Sequence, residues 1–203
     1  MNFNNIGMAS AVLLTLIVGA SLYTLYVSPA LLQRCLFRPY YFLRNREYST
    51  LVTSAFVHAD LPHLLFNCVT FWFFGLPLER IMGTPRFAML YAVGLVFSEL
   101  GPYLKRRNDP SYATLGASGA ICAVLFASIV YMPDASLMIL PIPIPIPAPL
   151  YAAGYLGYSW WASRSNRDGI NHDAHFGGAI TGLVFVALTD PDAYRRAAAM
   201  LGL

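Results

Sequence analysis

The chain has 203 residues, 57% of them hydrophobic and only 11% charged, with a mean hydropathy of +0.54. Soluble domains average about 25% charged residues, so this composition excludes an ordinary soluble protein and points to a polytopic membrane domain spanning 1–203. A net charge of +3, with no basic cluster interleaved with aromatics, gives no footing for a nucleic-acid partner.

No Lys or Arg precedes the first apolar run. It therefore lacks the charged n-region of a secretory signal, and residues 8–28 are expected to remain as a span. Residues 29–61 carry Arg34, Arg38, Arg44 and Arg46 among Leu, Phe and Tyr, a mixture suited to the membrane interface. Further spans are predicted near 62–82, 86–104, 117–132, 148–163 and 174–190, the last three short. The expected fold is thus all-α, a bundle of six transmembrane helices. Between the fourth and fifth spans, residues 141–149 place proline at every second position. Such a run cannot be helical and favours polyproline II. It is read as a stiff apolar strap, with a ligand for a proline-recognition domain as the alternative. Cys35, Cys68 and Cys122 make no metal-binding spacing. The two that fall in spans, Cys68 and Cys122, read as small buried hydrophobes.

Two spans carry groups that could react. Ser118 lies between Gly116 and Gly119, just where an apolar helix is predicted to begin. A helix N-terminus offers unpaired N–H groups and a positive dipole end. Ser118 alone could equally be a helix cap. His175 opens the sixth span, and a histidine in hydrocarbon is expensive. Serine and histidine together supply a nucleophile and a base. Ala174, Gly178 and Gly182 form a small-residue seam, and Gly119, Ala123 and Ala127 form another, so the two helices are expected to pack closely. A backbone carbonyl or lipid headgroups could otherwise satisfy His175.

A third cluster runs from His58 to Asn67. Pro62 suits a first helical turn, which puts His63 and Asn67 on one face at i and i+4. Two donors aimed at one point are what a tetrahedral intermediate needs. For Asn67 alone, a helix–helix hydrogen bond is the simpler reading, and His58 is read as a brace for the loop before the span. No carboxylate is placed for a triad. Asp173 sits two residues before His175 and points elsewhere on a helix, and it is expected with His172 at the membrane surface. The four histidines lack HExxH spacing and nearby carboxylate ligands, so a metal site is not expected.

With these motifs in hand, the chain resembles the rhomboid intramembrane serine proteases, most of all the branch with the mitochondrial presenilin-associated rhomboids. The matching segments are His58-Ala-Asp-Leu-Pro-His63-Leu-Leu-Phe-Asn67, Gly116-Ala-Ser118-Gly119 and Ala174-His175-Phe-Gly-Gly178-x-x-x-Gly182. The resemblance implies a six-helix bundle around a water-filled cavity. Ser118 would be the nucleophile and His175 the general base. His63, Asn67 and the Ser118 backbone N–H would form the oxyanion hole. Substrates would be transmembrane segments of other proteins, cut without a cofactor. A catalytically silent, client-binding relative is the alternative; a small transporter is a weaker one, since no charge sits mid-span in the second, fourth or sixth segments. Some family members carry a tyrosine one turn after the serine, packed on the histidine; here that place is Cys122. The tryptophan–arginine pair often found in the first loop is not evident near Glu47 and Tyr48.

Orientation pulls two ways. With the N-terminus inside, outer loops hold nine basic residues (Arg34, Arg38, Arg44, Arg46, Lys105, Arg106, Arg107, Arg164, Arg167) and inner loops four (Arg80, Arg86, Arg195, Arg196). The positive-inside rule favours the reverse. The resemblance implies a cytoplasmic N-terminus and a site open to the other side, and this is the orientation expected here, in a bacterial plasma membrane.

Overall fold

The structure is a computed structural model that describes residues 7–139, 142–164 and 170–203. Arg167 and the first strap residue, Pro141, lie outside the described residues. The protein is mostly helical, in the order α1 (Met8–Tyr26), α2 (Pro29–Cys35), α3 (Pro39–Arg44), α4 (Thr50–Thr53), α5 (Leu61–Met82), α6 (Thr84–Ser98), α7 (Leu100–Arg106), α8 (Ser118–Tyr131), β1 (Ser136–Ile139), β2 (Ile142–Pro147), α9 (Ala148–Ala162), α10 (His172–Thr189) and α11 (Asp192–Met200).

A helix stands at each of the six predicted spans, but only part of the six-span expectation is met. Among the described residues, three segments are long and apolar enough to cross a membrane: Met8–Tyr26, Leu61–Met82 and Thr84–Arg106. The helix α8 is apolar but has only 14 residues. At 1.5 Å per residue it covers about 21 Å of a hydrocarbon layer roughly 30 Å thick.

Helix α8 is the axis of the bundle. Every residue from Gly119 to Val130 is buried, packed among α5, α6, α9, α10 and α11. The sequence of α8 has no polar face because it has no exposed face. A central cluster of Phe71, Phe87, Tyr91 and Val124 joins α5, α6 and α8, with Phe71 edge-on to both Phe87 and Tyr91.

Local signals set the helix ends. Asp60 caps α5, its carboxylate accepting the His63 N–H at 2.7 Å, and Pro62 sits in the first turn. Gly83, at φ +82°, ends α5 and opens α6, a backbone conformation that glycine adopts without strain. Near that corner the buried Glu79 carboxylate accepts the Ala9 and Ser10 N–H groups at 3.0 and 2.8 Å, and the Thr84 hydroxyl at 2.7 Å. It thereby fills orphan donors at the start of α1 and ties α1 to α5 and α6.

The proline strap corrects the polyproline II expectation, and with it the purely helical fold class. β1 and β2 pair antiparallel, with Leu137 opposite Ile146 and Ile139 opposite Ile142. Successive residues of a strand turn their backbone donors to opposite edges. Prolines at every second position therefore strip one edge and leave the isoleucines to pair across the other, as on an edge strand. Pro149 enters the first turn of α9, where its missing N–H costs nothing.

The first connection carries the short helices α2, α3 and α4 and is tied to the opposite loop. Phe37 and Thr114 exchange backbone hydrogen bonds of 3.0 and 2.9 Å. Arg44 donates to the Arg107 carbonyl at 2.8 Å. Basic residues thus gather at two ends of the bundle. Arg86 and Arg196 meet Asp190 at the end where α1 begins and α10 finishes. Arg44, Lys105 and Arg107 lie at the end where α8 begins.

Candidate active site

The small-residue seams bring α8 and α10 together. A side chain at Gly178 would strike the Gly119 carbonyl oxygen, and one at Gly182 the Ala123 carbonyl oxygen. The α8 seam serves a second neighbour as well. A Cβ on Gly119 would strike the Ser98 hydroxyl, and one on Gly94 would lie 2.7 Å from the Ala123 Cβ. The expected α8–α10 pairing is therefore one half of a junction that also seats α6.

At the top of this junction His175 Nε2 lies 2.8 Å from Ser118 Oγ. Ser118 is the first residue of α8, and the preceding cap residue, Ala117, makes no side-chain cap bond. The cap position is thus taken by Ala117, and the Ser118 hydroxyl, one place further in, meets His175. The first intrahelical bond starts at Ile121, which donates to the Ala117 carbonyl at 3.0 Å. The Ser118 N–H precedes it and has no carbonyl of its own helix to reach.

The approach to Ser118 is braced by the first connection. The Gly116 N–H donates to the Ser54 carbonyl at 2.9 Å. Gly116 has φ +113°, and a Cβ there would lie 2.7 Å from the His63 ring. Glycine is needed twice over, for its dihedral and for its missing side chain. His58, expected to brace the loop before α5, is fully buried and reaches from that loop to α1 and to the approach to Ser118. Its Nε2 accepts the Ala117 N–H at 3.4 Å, and its Nδ1 lies 2.8 Å from the Ser21 hydroxyl. Burial, then the neighbouring His63, pushes its pKa down to about 3, against an opposing pull from Asp60. His58 is thus neutral at neutral pH, and a neutral ring can accept at Nε2 while donating from Nδ1.

His63 and Asn67 both reach the same cavity as Ser118 and His175, of about 770 Å³. The Asn67 amide donates to the His63 carbonyl of its own helix at 3.1 Å; no bond from it to another helix is among those described. Tyr112 also lines the cavity, and burial, followed by nearby Glu99, raises its phenol to about 12.

Asp173 turns away from His175, as its spacing implied, and pairs with Lys105 Nζ at 2.6 Å. His172 stands at the first residue of α10, the end of the helix. It is buried, edge-on to Tyr158 and to His175 at centroid distances of 5.4 and 6.2 Å. The helix α10 starts two residues before the predicted span and is capped by Asn171. Asn171 accepts the Ala174 N–H at 3.1 Å and donates to Thr114 Oγ1 at 2.8 Å. Its amide was not singled out by sequence; an Asn four residues before His175 is the kind of N-cap signal that marks it.

The place one turn after Ser118 is Cys122, and it holds no ring. Instead Tyr155 of α9 lies over His175, with centroids 6.5 Å apart and planes 26° apart. Nothing in the spacing of the motifs pointed to α9.

A hydroxyl in hydrogen-bond contact with an imidazole, beside a helix N-terminus and in a cavity walled by apolar helices, is an arrangement with the chemical means for acyl transfer. The comparisons show the family. The profile described as the Rhomboid domain matches residues 45–191, and the chain belongs to the rhomboid family. It is 38% identical over 88 residues to the Bacillus subtilis (strain 168) protein YdcA, whose name assigns it provisionally to the rhomboid proteases, covering 43% of each chain. It is 29% identical over 161 residues to presenilin-associated rhomboid-like protein A, mitochondrial, of Danio rerio, covering 72% of this chain and 40% of that one. With Rhomboid protein 1, mitochondrial, of Saccharomyces cerevisiae it shares 30% identity over 157 residues, 71% and 44% of the two chains. The matches thus span about two fifths of the length of these relatives.

Proposed function

We propose that the chain is an intramembrane serine endopeptidase, a single domain of six spans that cuts transmembrane segments of other membrane proteins. The observation that carries this reading is the 2.8 Å contact between Ser118 Oγ and His175 Nε2 at the wall of a cavity. In the proposed mechanism His175 takes the Ser118 proton as the hydroxyl attacks a substrate carbonyl, then returns it to the leaving amine. The Ser118 N–H and the side chains of His63 and Asn67 stabilise the oxyanion. Gly116, Gly119, Gly178 and His58 hold these groups in place. The test is covalent labelling by a mechanism-based serine reagent. Wild type is expected to label and Ser118→Ala not to. An unlabelled wild type favours the catalytically silent, client-binding alternative.

The oxyanion assignment has its own signature. Removing an oxyanion donor typically costs about 100- to 1000-fold in kcat. Here the Ser118 N–H remains and the two side chains can partly replace each other. Asn67→Ala or His63→Ala is therefore expected to lower kcat by ~10- to 100-fold with little change in KM, and the double variant by more. A lower melting temperature with unchanged kcat for Asn67→Ala would mark it as structural and remove it from the site.

We also propose a cytoplasmic-type side for the N-terminus, with the cavity opening opposite. Single cysteines introduced in 105–112 are then expected to react with an impermeant reagent from the outer side. Labelling from the inner side alone would favour the charge count. The expected bacterial plasma membrane draws no support from the mitochondrial relatives, and the proposal extends only to an integral membrane location.

A further inference from the structure

The imidazole of a general base must hold one orientation, yet its hydrogen bond to Ser118 Oγ fixes only one atom of the ring. The tilt of the ring about that bond is set by its other neighbours, among them His172, which meets it edge-on at 6.2 Å. The face of His175 is covered by Tyr155, with ring planes within 26° and centroids 6.5 Å apart, inside the range of favourable aromatic stacking.

Tyr155 is itself held from three directions. Its hydroxyl lies 3.2 Å from Cys122 Sγ, one turn below Ser118 on α8. Tyr151, one turn earlier on α9, stacks on it at 5.7 Å and 22°. Phe126 of α8 lies against it at 5.5 Å and 53°. The phenol thus bridges the helix of the serine and the helix of the histidine. Cys122 suits this place because it is small: it lies against Gly178, where a Cβ would come within 3.2 Å of the Cys122 Cβ. A larger residue there would occupy the room that Tyr155 takes from α9.

We propose that Tyr155 is a positioning residue for His175, its ring fixing the tilt of the imidazole and its hydroxyl anchored on Cys122. The inference rests on the protease reading and adds to it a residue from α9, a helix that supplies none of the proposed reacting groups. It assigns Cys122 a partner rather than a chemical role.

The test uses the full chain in detergent or vesicles, with a model transmembrane substrate. Tyr155→Leu is expected to lower kcat by roughly 10- to 100-fold, the scale on which a small misplacement of a reacting group costs rate. KM and melting temperature should change little. Tyr155→Phe keeps the ring and should recover most of the loss. Cys122→Ala should match Tyr155→Phe, and the two together should cost no more than either, since both remove one contact. A raised KM with unchanged kcat in Tyr155→Leu would overturn the proposal and mark Tyr155 as a substrate contact. So would equal losses in the Leu and Phe variants, which would leave the ring without a part. Proton NMR of the histidine rings gives a readout independent of turnover. The face of Tyr155 should shift the His175 ring protons upfield in wild type and Tyr155→Phe, and not in Tyr155→Leu. If wild type neither cleaves nor labels, the protease reading fails, and this shift alone decides whether Tyr155 holds the ring.

Discussion

Ser118→Ala and His175→Ala are each expected to lower cleavage of a model transmembrane substrate by at least about 10⁴-fold while the protein stays folded. In the proposed mechanism the two groups act on one proton. Without His175 the hydroxyl is a weak nucleophile, and without Ser118 the imidazole has nothing to activate. The double variant should therefore lose little more than either single one, because the second removal takes away a partner already idle. Retention of substantial turnover by Ser118→Ala would show that the attacking group lies elsewhere. Melting temperatures should stay close to wild type in all three. The 2.8 Å bond between two half-buried groups is one contact beside an α8–α10 interface built on backbone approach.

The second large effect is expected in stability. Gly182 faces the Ala123 carbonyl so closely that a Cβ has no room, and the obstacle is backbone, which cannot swing aside as a side chain can. Gly182→Val should destabilise the fold by about 3 kcal/mol, the upper end of the usual cost of overpacking. Gly154 and Gly157 of α9 have nothing within 4 Å of an added Cβ. Gly157→Ala should be neutral or slightly stabilising, as expected for glycine replaced in an open helix position. Thermal unfolding in one detergent compares all of these. Equal melting temperatures for Gly182→Val and wild type would mean that α8 and α10 do not meet at this seam.

Much of this architecture could be read from apolar runs alone, because a helix in a membrane needs length and low charge before anything else. The places of the six main helices came from that rule. The rule also erred where a polar cap extends a helix, as Asn171 and His172 do for α10. The hairpin was missed for a different reason. Polyproline II and strand are both extended, and what separates them is a partner strand, here the four residues Ser136–Ile139. The groups around Ser118 were legible because each sits in a short motif with small residues beside it. Tyr155, Ser98 and Glu79 were not, since their contacts depend on which helices are neighbours, and no local spacing records that. Tyr151, Tyr155 and Tyr158 fall at i, i+4 and i+7 of α9 and so share a face, but only the fold says that Tyr155 meets His175.

The enclosure of α8 has one more consequence. From Gly119 to Val130 the serine's helix offers no side chain to lipid, whereas α9 and α10 expose Leu150, Trp161, Val184 and Leu188. On the proposed mechanism, lipid contact therefore falls on the helices of His175 and Tyr155, and reaches the helix of Ser118 only at second hand. If the proposed proton transfer holds, a thinner or thicker bilayer is expected to act on the step in which His175 takes the proton, with Ser118 held still.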